Sequence, residues 1–279
     1  MLYAQRQELD SLHKIISKFQ QDKAYATDTN YIKQLHILAT RYVYINPDSS
    51  LLLGQTIKKL SQAIHYRKGY LYALTVTISG RQAQGLNYTN KALFDETLQL
   101  AKELGEKSIE ARTYNQMAAL GRDAGESKEV ILGLYEKSLA IRKALNETKG
   151  IISCLHNIGL THATLGDYTQ AMRYYLEVLK LSEKAHNQEH QAHVFLSIAE
   201  LYAKQHKDSA ALQYYAKAQK IFEKIENKRG LGIILNELGD MAQRKGNYQE
   251  AFDYYQSSLA LRKSIKEHKG IAYSYSSLG

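Results

Sequence analysis

The sequence predicts an all-α fold, a solenoid of stacked helical hairpins. Three observations carry that expectation. The 279 residues include a single proline, the residue that most often interrupts helices. Aligned on itself, the chain repeats with a period of about 40 residues, which overrides the two-domain expectation that length alone gives. Within each period apolar residues recur at spacings of three and four, as amphipathic helices require.

Residues 1–27 hold one helix, about Tyr3 to Gln20, expected to cap the open end of the stack. Residues 28–67 form hairpin 1, with a first helix to about Ile45. There Asn46-Pro47-Asp48 opens the second helix, with Asn as N-cap, Pro at the first position and an acid in the first turn. Hairpin 2, residues 68–106, keeps Lys68-Gly69, Gly85 at the turn and Phe94, with Ile78 and Asn90 where small residues belong. Hairpin 3, residues 107–147, keeps Met117-Ala118, Gly125 and Tyr135, with Ile131 where Ala is expected.

Hairpins 4 and 6, residues 148–187 and 228–267, carry the complete pattern. Lys149-Gly150-Ile151 and Arg229-Gly230-Leu231 open first helices that reach Gly159 and Gly239. The turns are Gly166-Asp167-Tyr168 and Gly246-Asn247-Tyr248. The second helices bring Ala171, Tyr175 and Leu179, and then Ala251, Tyr255 and Leu259, into register. Hairpin 5, residues 188–227, begins at Glu189-His190-Gln191 and keeps Ala199, Tyr202, Ala211 and Tyr215, with His206-Lys207-Asp208 at its turn. Residues 268–279 repeat Lys269-Gly270-Ile271 and form the first helix of a seventh hairpin whose partner is missing. Ile271, Tyr275 and Leu278 would then have only the preceding hairpin to cover them, so the natural chain is expected to continue past Gly279.

The pattern has a physical reading. Gly159, Ala199 and Gly239 sit where a partner helix must approach closely, and Ala171, Ala211 and Ala251 do the same from the second helix. Tyr175, Tyr215 and Tyr255 fill the space between neighbouring pairs, with hydroxyls expected to reach the surface. One hairpin cannot bury its own apolar face, so it stacks on the next.

The Leu-Gly or Ile-Gly pair, the Gly-Asp-Tyr turn, and Ala and Tyr four apart resemble the tetratricopeptide repeat in its 40-residue variety. The resemblance spans about 250 residues and implies a right-handed superhelix whose first helices line an inner groove for a peptide or partner protein. Repeats of this kind commonly carry Pro after the second helix. Here a longer helix end, Ser182 to His186 and Lys224 to Asn227, fills that slot. Groove positions fall about six, three and two residues before the small residue and one and four after it. That register selects Arg112, Asn115, Gln116 and Arg122 in hairpin 3, and Ser153, His156 and Asn157 in hairpin 4. It selects His193 in hairpin 5, and Asn236, Glu237, Asp240 and Gln243 in hairpin 6. Asn157 resembles the Asn before the Ile-Gly pair in peptide-binding arrays, where an amide that both donates and accepts clamps a peptide backbone. Arg112 and Arg122 suit acidic groups on a ligand.

The leading Leu9-Asp10-Ser11-Leu12 helix, the Asn-Pro-Asp-Ser segment and the Lys-Gly-Ile repeats are together similar to the sensor region of bacterial repeat-bearing signalling proteins. Many of those are histidine kinases. The resemblance implies a non-enzymatic protein- or peptide-binding region, with any output enzyme beyond Gly279. The alternatives are a free-standing cytoplasmic scaffold or peptide-sensing regulator, or the sensor of a nucleotide cyclase or transcription regulator. The expected compartment is the periplasm if a leader was removed from a sensor kinase, and otherwise the cytoplasm.

Composition narrows the other classes. Residues 1–140 carry 18 basic and 14 acidic side chains and residues 141–279 carry 19 and 14, so the formal charge of +9 is spread evenly. A nucleic-acid interface concentrates positive charge on one face, and none is expected here. No apolar window approaches the roughly 18–20 residues of a membrane span, and the first residues show no charged leader before an apolar core. Cys154, the lone cysteine, excludes an internal disulfide and reads as a buried thiol. His186, His190 and His193 straddle a helix junction, with His186 ending one helix and Asn187-Gln188 forming the turn. They read as surface and groove histidines, and neither metal nor cofactor is expected. Gly230-Leu231-Gly232 follows no strand and is not a phosphate loop.

Overall fold

Tight turns set the spacing of the helices in the structure, a computed structural model that describes residues 2–22, 25–43, 45–84, 91–265 and 267–278. The chain divides into two units, Met1–Ser127 and Lys128–Gly279. In the first lie α1 (Leu2–Gln20), a 3-10 turn (Tyr25–Thr27), α2 (Thr29–Tyr42), α3 (Pro47–Ala63), α4 (Arg67–Ala83), α5 (Lys91–Glu103) and α6 (Lys107–Ala124). In the second lie α7 (Lys128–Ala144), α8 (Thr148–Thr164), α9 (Tyr168–Lys184), α10 (Gln188–Lys204), α11 (Asp208–Lys224), α12 (Lys228–Arg244), α13 (Tyr248–Ser264) and α14 (His268–Leu278). The fold is all-α, with successive helices packed pairwise within each unit. First helices also stack on one another, α2 on α4, and α8, α10, α12 and α14 in sequence. Gly85 and Asn90, expected at the turn and second helix of hairpin 2, lie outside the described residues, as does Gly279.

The second helices stop earlier than the expected longer ends. α9 ends at Lys184 and α11 at Lys224, because His186 (φ +50°) and Glu226 (φ +54°) turn left-handed. The N–H of Asn187 then returns to the Ser182 carbonyl at 2.8 Å, and that of Asn227 to the Phe222 carbonyl at 2.8 Å, closing the orphan carbonyls of each helix end. The same two asparagines cap the next helix. His190 N–H donates to Asn187 Oδ1 at 3.2 Å, and Gly230 N–H to Asn227 Oδ1 at 2.9 Å. His186-Asn187 is therefore the turn, and Gln188 begins α10. At hairpin 1 the first helix ends at Tyr42 rather than near Ile45, and Asn46 Oδ1 caps α3 by accepting from Ser49 N–H at 3.1 Å.

The core of the second unit is built on the tyrosine of each second helix. Tyr135, Tyr175, Tyr215 and Tyr255 are 0%, 1%, 1% and 3% exposed, one in every period. Two of these rings need a gap in the facing first helix. A Cβ at Gly159 would lie 2.6 Å from Tyr175 Cε1, and one at Gly239 would lie 2.5 Å from Tyr255 Cε1. The tyrosine hydroxyls correct one expectation, since they do not run to open surface. Tyr215 donates to Glu237 Oε2 at 3.2 Å and Tyr255 to Asp240 Oδ1 at 2.6 Å, because a carboxylate beside a buried ring is the stronger acceptor. The glycine of the Lys-Gly-Ile signature has a separate cause. A Cβ at Gly150 or Gly270 would collide with Arg142 or Arg262 of the preceding second helix, and one at Gly230 would stand 2.6 Å from Phe222.

Left-handed backbone costs a residue with a Cβ roughly 1–2 kcal/mol. Gly166 and Gly246 occupy equivalent turns at φ +79°, where His186 sits at +50°. His186→Gly is expected to raise stability by roughly 0.5–1 kcal/mol in chemical denaturation, after the greater entropy of glycine in the unfolded chain is counted. An unchanged or lower midpoint would contradict this account of the turn.

Candidate functional site

In the second unit, α8, α10 and α12 present one polar face that runs from helix to helix. Ser153 on α8 meets His190 on α10, Oγ to Nε2, at 3.2 Å. Three residues on, His156 Nε2 lies 2.9 Å from Ser197 Oγ of α10. Glu200 on α10 lies close enough to Glu237 on α12 to feel its charge. Asp240 accepts hydrogen bonds from Tyr255 at 2.6 Å and from Tyr273 of α14 at 3.2 Å. Gln243, exposed, accepts from Tyr255 at 3.2 Å. Asn157 is half-buried in the same turn of α8 as Ser153 and His156. His193 turns its ring edge toward Phe222, with centroids 5.1 Å apart. Asn236 departs from the others. It is 1% exposed, and its Oδ1 accepts from Ser274 at 3.3 Å within the packing of α12 and α14.

Four of the expected positions belong to the first unit. Arg112, Asn115 and Gln116 are half-buried on α6, and Gln116 Nε2 donates to Gln82 Oε1 of α4 at 2.8 Å. His36 of α2 stacks on Tyr72 of α4 with centroids 4.3 Å apart. Burial first, and then the positive charge of Arg112, push His36 down to about 4, so it stays neutral. Arg122, in the last turn of α6, places Nη2 at 3.4 Å from Asp123 Oδ1.

The electrostatics of the second unit set its chemistry. Burial, reinforced by Glu237, pushes the Glu200 carboxyl up to about 8, and burial with the charge of Asp240 raises Glu237. With its carboxyl pushed up to about 8, Glu200 carries a proton at neutral pH. The face therefore offers imidazole, hydroxyl, amide and carboxylic acid groups, all able to donate or accept. Cys154 is 0% exposed beside Ser138 Oγ at 3.1 Å, and burial pushes its thiol up, away from nucleophilic use. The three spaced histidines have separate surroundings, His186 in the exposed turn, His190 against Ser153 and His193 against Phe222.

Sequence register selects Asn157 and Asp240 but passes over their equivalents in hairpin 5. Ser197 stands two before Ala199 as Asn157 stands two before Gly159, and Glu200 follows Ala199 as Asp240 follows Gly239. The same count applied to hairpin 5 finds both. His190 and Tyr273 carried no such signal, the first because its Gly-equivalent slot reads as a helix start.

The family described as Tetratricopeptide repeat matches residues 129–184, 150–224 and 230–279, together more than half of the chain. A comparison with curated protein sequences finds no match. Among solved structures, the apo form of RapI is similar with a TM-score of 0.72 at 14% identity, covering 96% of each chain. The Rap conjugation gene regulator of plasmid pLS20, in complex with the Phr* peptide, is similar with a TM-score of 0.73 at 13% identity, covering 92% of this chain and 69% of that one. Aspartyl phosphate phosphatase F from Bacillus subtilis is similar with a TM-score of 0.71 at 14% identity, covering 93% and 68%. At these identities the likeness is one of fold.

The proton on Glu200 has a consequence for stability. A glutamate in the unfolded chain titrates near 4.5, whereas Glu200 in the fold titrates at about 8. A raised acid contributes most below the unfolded value, and that contribution is lost as pH rises through the folded one. Melting temperature is expected to fall between pH 5 and pH 8.5, and Glu200→Gln to flatten that fall. Parallel pH–Tm curves for the two proteins would exclude Glu200 as the titrating group.

Proposed function

The chain belongs to the tetratricopeptide repeat family, and from that premise we propose that it is a peptide-binding regulator that uses the polar face of α8, α10 and α12. The observation that carries this reading is the pair of cross-helix contacts, Ser153 to His190 and His156 to Ser197, with Glu200 and Glu237 following on α10 and α12. These hold donors and acceptors in a row along stacked first helices. An extended peptide offers backbone N–H and C=O groups at a matching succession, and Asn157 can pair with both. The acids at the α12 end favour a peptide with a basic residue there.

The similarity to a regulator solved with a bound peptide supports this reading. It also weighs toward the peptide-sensing regulator over the sensory part of a histidine kinase, which rests on the resemblance of the leading segments. The proposed action is binding without catalysis. Cys154 is enclosed, Asp240 is engaged by two tyrosines, and Glu200 is kept protonated chiefly by burial.

A positional-scanning library of labelled short peptides, read by fluorescence anisotropy, tests the proposal. Saturable binding is expected, with a preference for Lys or Arg at one position. Asn157→Ala should weaken it about tenfold, the equivalent of one or two peptide hydrogen bonds, and Glu237→Gln should relax the basic preference. Binding indifferent to both substitutions would place the peptide elsewhere and end this reading of the face.

A further inference from the structure

A cavity of about 550 Å³ opens in the first unit between the end of α3, the start of α4 and α5. None of the groove positions named above lines it. Its size falls in the range of small-molecule sites, about 300–1,000 Å³. Tyr66, Tyr70 and Leu100 supply apolar wall. Behind that wall Ser61 is 1% exposed, its Oγ packed against Gly69 of α4.

The charges on the wall indicate what that occupant carries. Glu103 is already engaged, ion-paired with Arg67 and accepting from Gln99 Nε2 at 2.9 Å. Glu96 has no ion pair among the described residues. The Tyr70 hydroxyl donates to its Oε1 at 2.6 Å, which fixes the carboxylate against the ring. A carboxylate held beside two aromatic walls is the arrangement that captures organic cations. The Tyr70 ring already attracts one ammonium from outside the lining, with Lys58 Nζ 5.4 Å from its centroid.

We propose that this cavity binds a small organic cation, an amine or guanidinium whose charge meets Glu96 and whose body lies against Tyr66 and Tyr70. Lys58 is then a competitor for the same charge and ring.

Butylguanidinium titrated into the full chain, followed by amide NMR shifts, tests the proposal, with the neutral isostere butylurea as control. Saturable shifts are expected among residues of α3, α4 and α5, with butylurea far weaker. Glu96→Gln should weaken binding about tenfold and Lys58→Gln should tighten it. Both residues are exposed, so circular dichroism should show the fold unchanged. No saturable shift at millimolar concentration, equal binding of butylurea, or indifference to Glu96→Gln would overturn the assignment.

Discussion

The contact between a tyrosine ring and a residue without room for a side chain governs the second unit. Tyr175 against Gly159 and Tyr255 against Gly239 bring two helix backbones closer than any larger pair allows. At the equivalent position of the next period Ala199 shares one buried cluster with Tyr215. Once that contact is made, the rotation of each first helix about its axis is set. Residues six, three and two before the small residue, and one after it, then emerge on the same side in successive periods. The row of Ser153, His156, Ser197, Glu200 and Glu237 is thus a by-product of packing.

The helices, their period and the small-residue slots were legible because each is a local pattern repeated along the chain. The turns were half legible. Gly166 and Gly246 announce a left-handed residue, whereas His186 and Glu226 take the same conformation with no sign of it in their side chains. The expected helix ends at His186 and Asn227 ran long for that reason. The six-to-one hydrogen bond that stops the helix is a backbone event, favoured by the Asn that follows as cap for the next helix.

The site was legible in register and opaque in partnership. Counting from the small residue finds Asn157, Glu237 and Asp240, since periodicity decides which way a side chain faces. It cannot show that Asn236 is sealed against Ser274, or that His156 and Ser197 meet across 41 residues of chain. The tyrosine hydroxyls illustrate the same divide. Their rings were read correctly as core from spacing, but their ends turn to Glu237 and Asp240, which belong to other helices. The complementary pairs of Arg142 with Gly150, Phe222 with Gly230 and Arg262 with Gly270 have this character too. Each half is visible in the sequence, and the reason for it lies in the other half.

The proton held by Glu200 changes how the wall meets a ligand. Counted from the sequence, Glu200, Glu237 and Asp240 amount to three negative charges. With Glu200 titrating at about 8, one of them is a neutral donor at physiological pH. If a peptide binds as proposed, with a basic group beside Glu200, the cost of ionising that acid falls and binding would expel a proton to solvent. The heat of such an event would then depend on which buffer takes the proton up, and affinity would rise with alkalinity. Under that proposal the wall would act as an exchanger, taking in one positive charge as it gives up another.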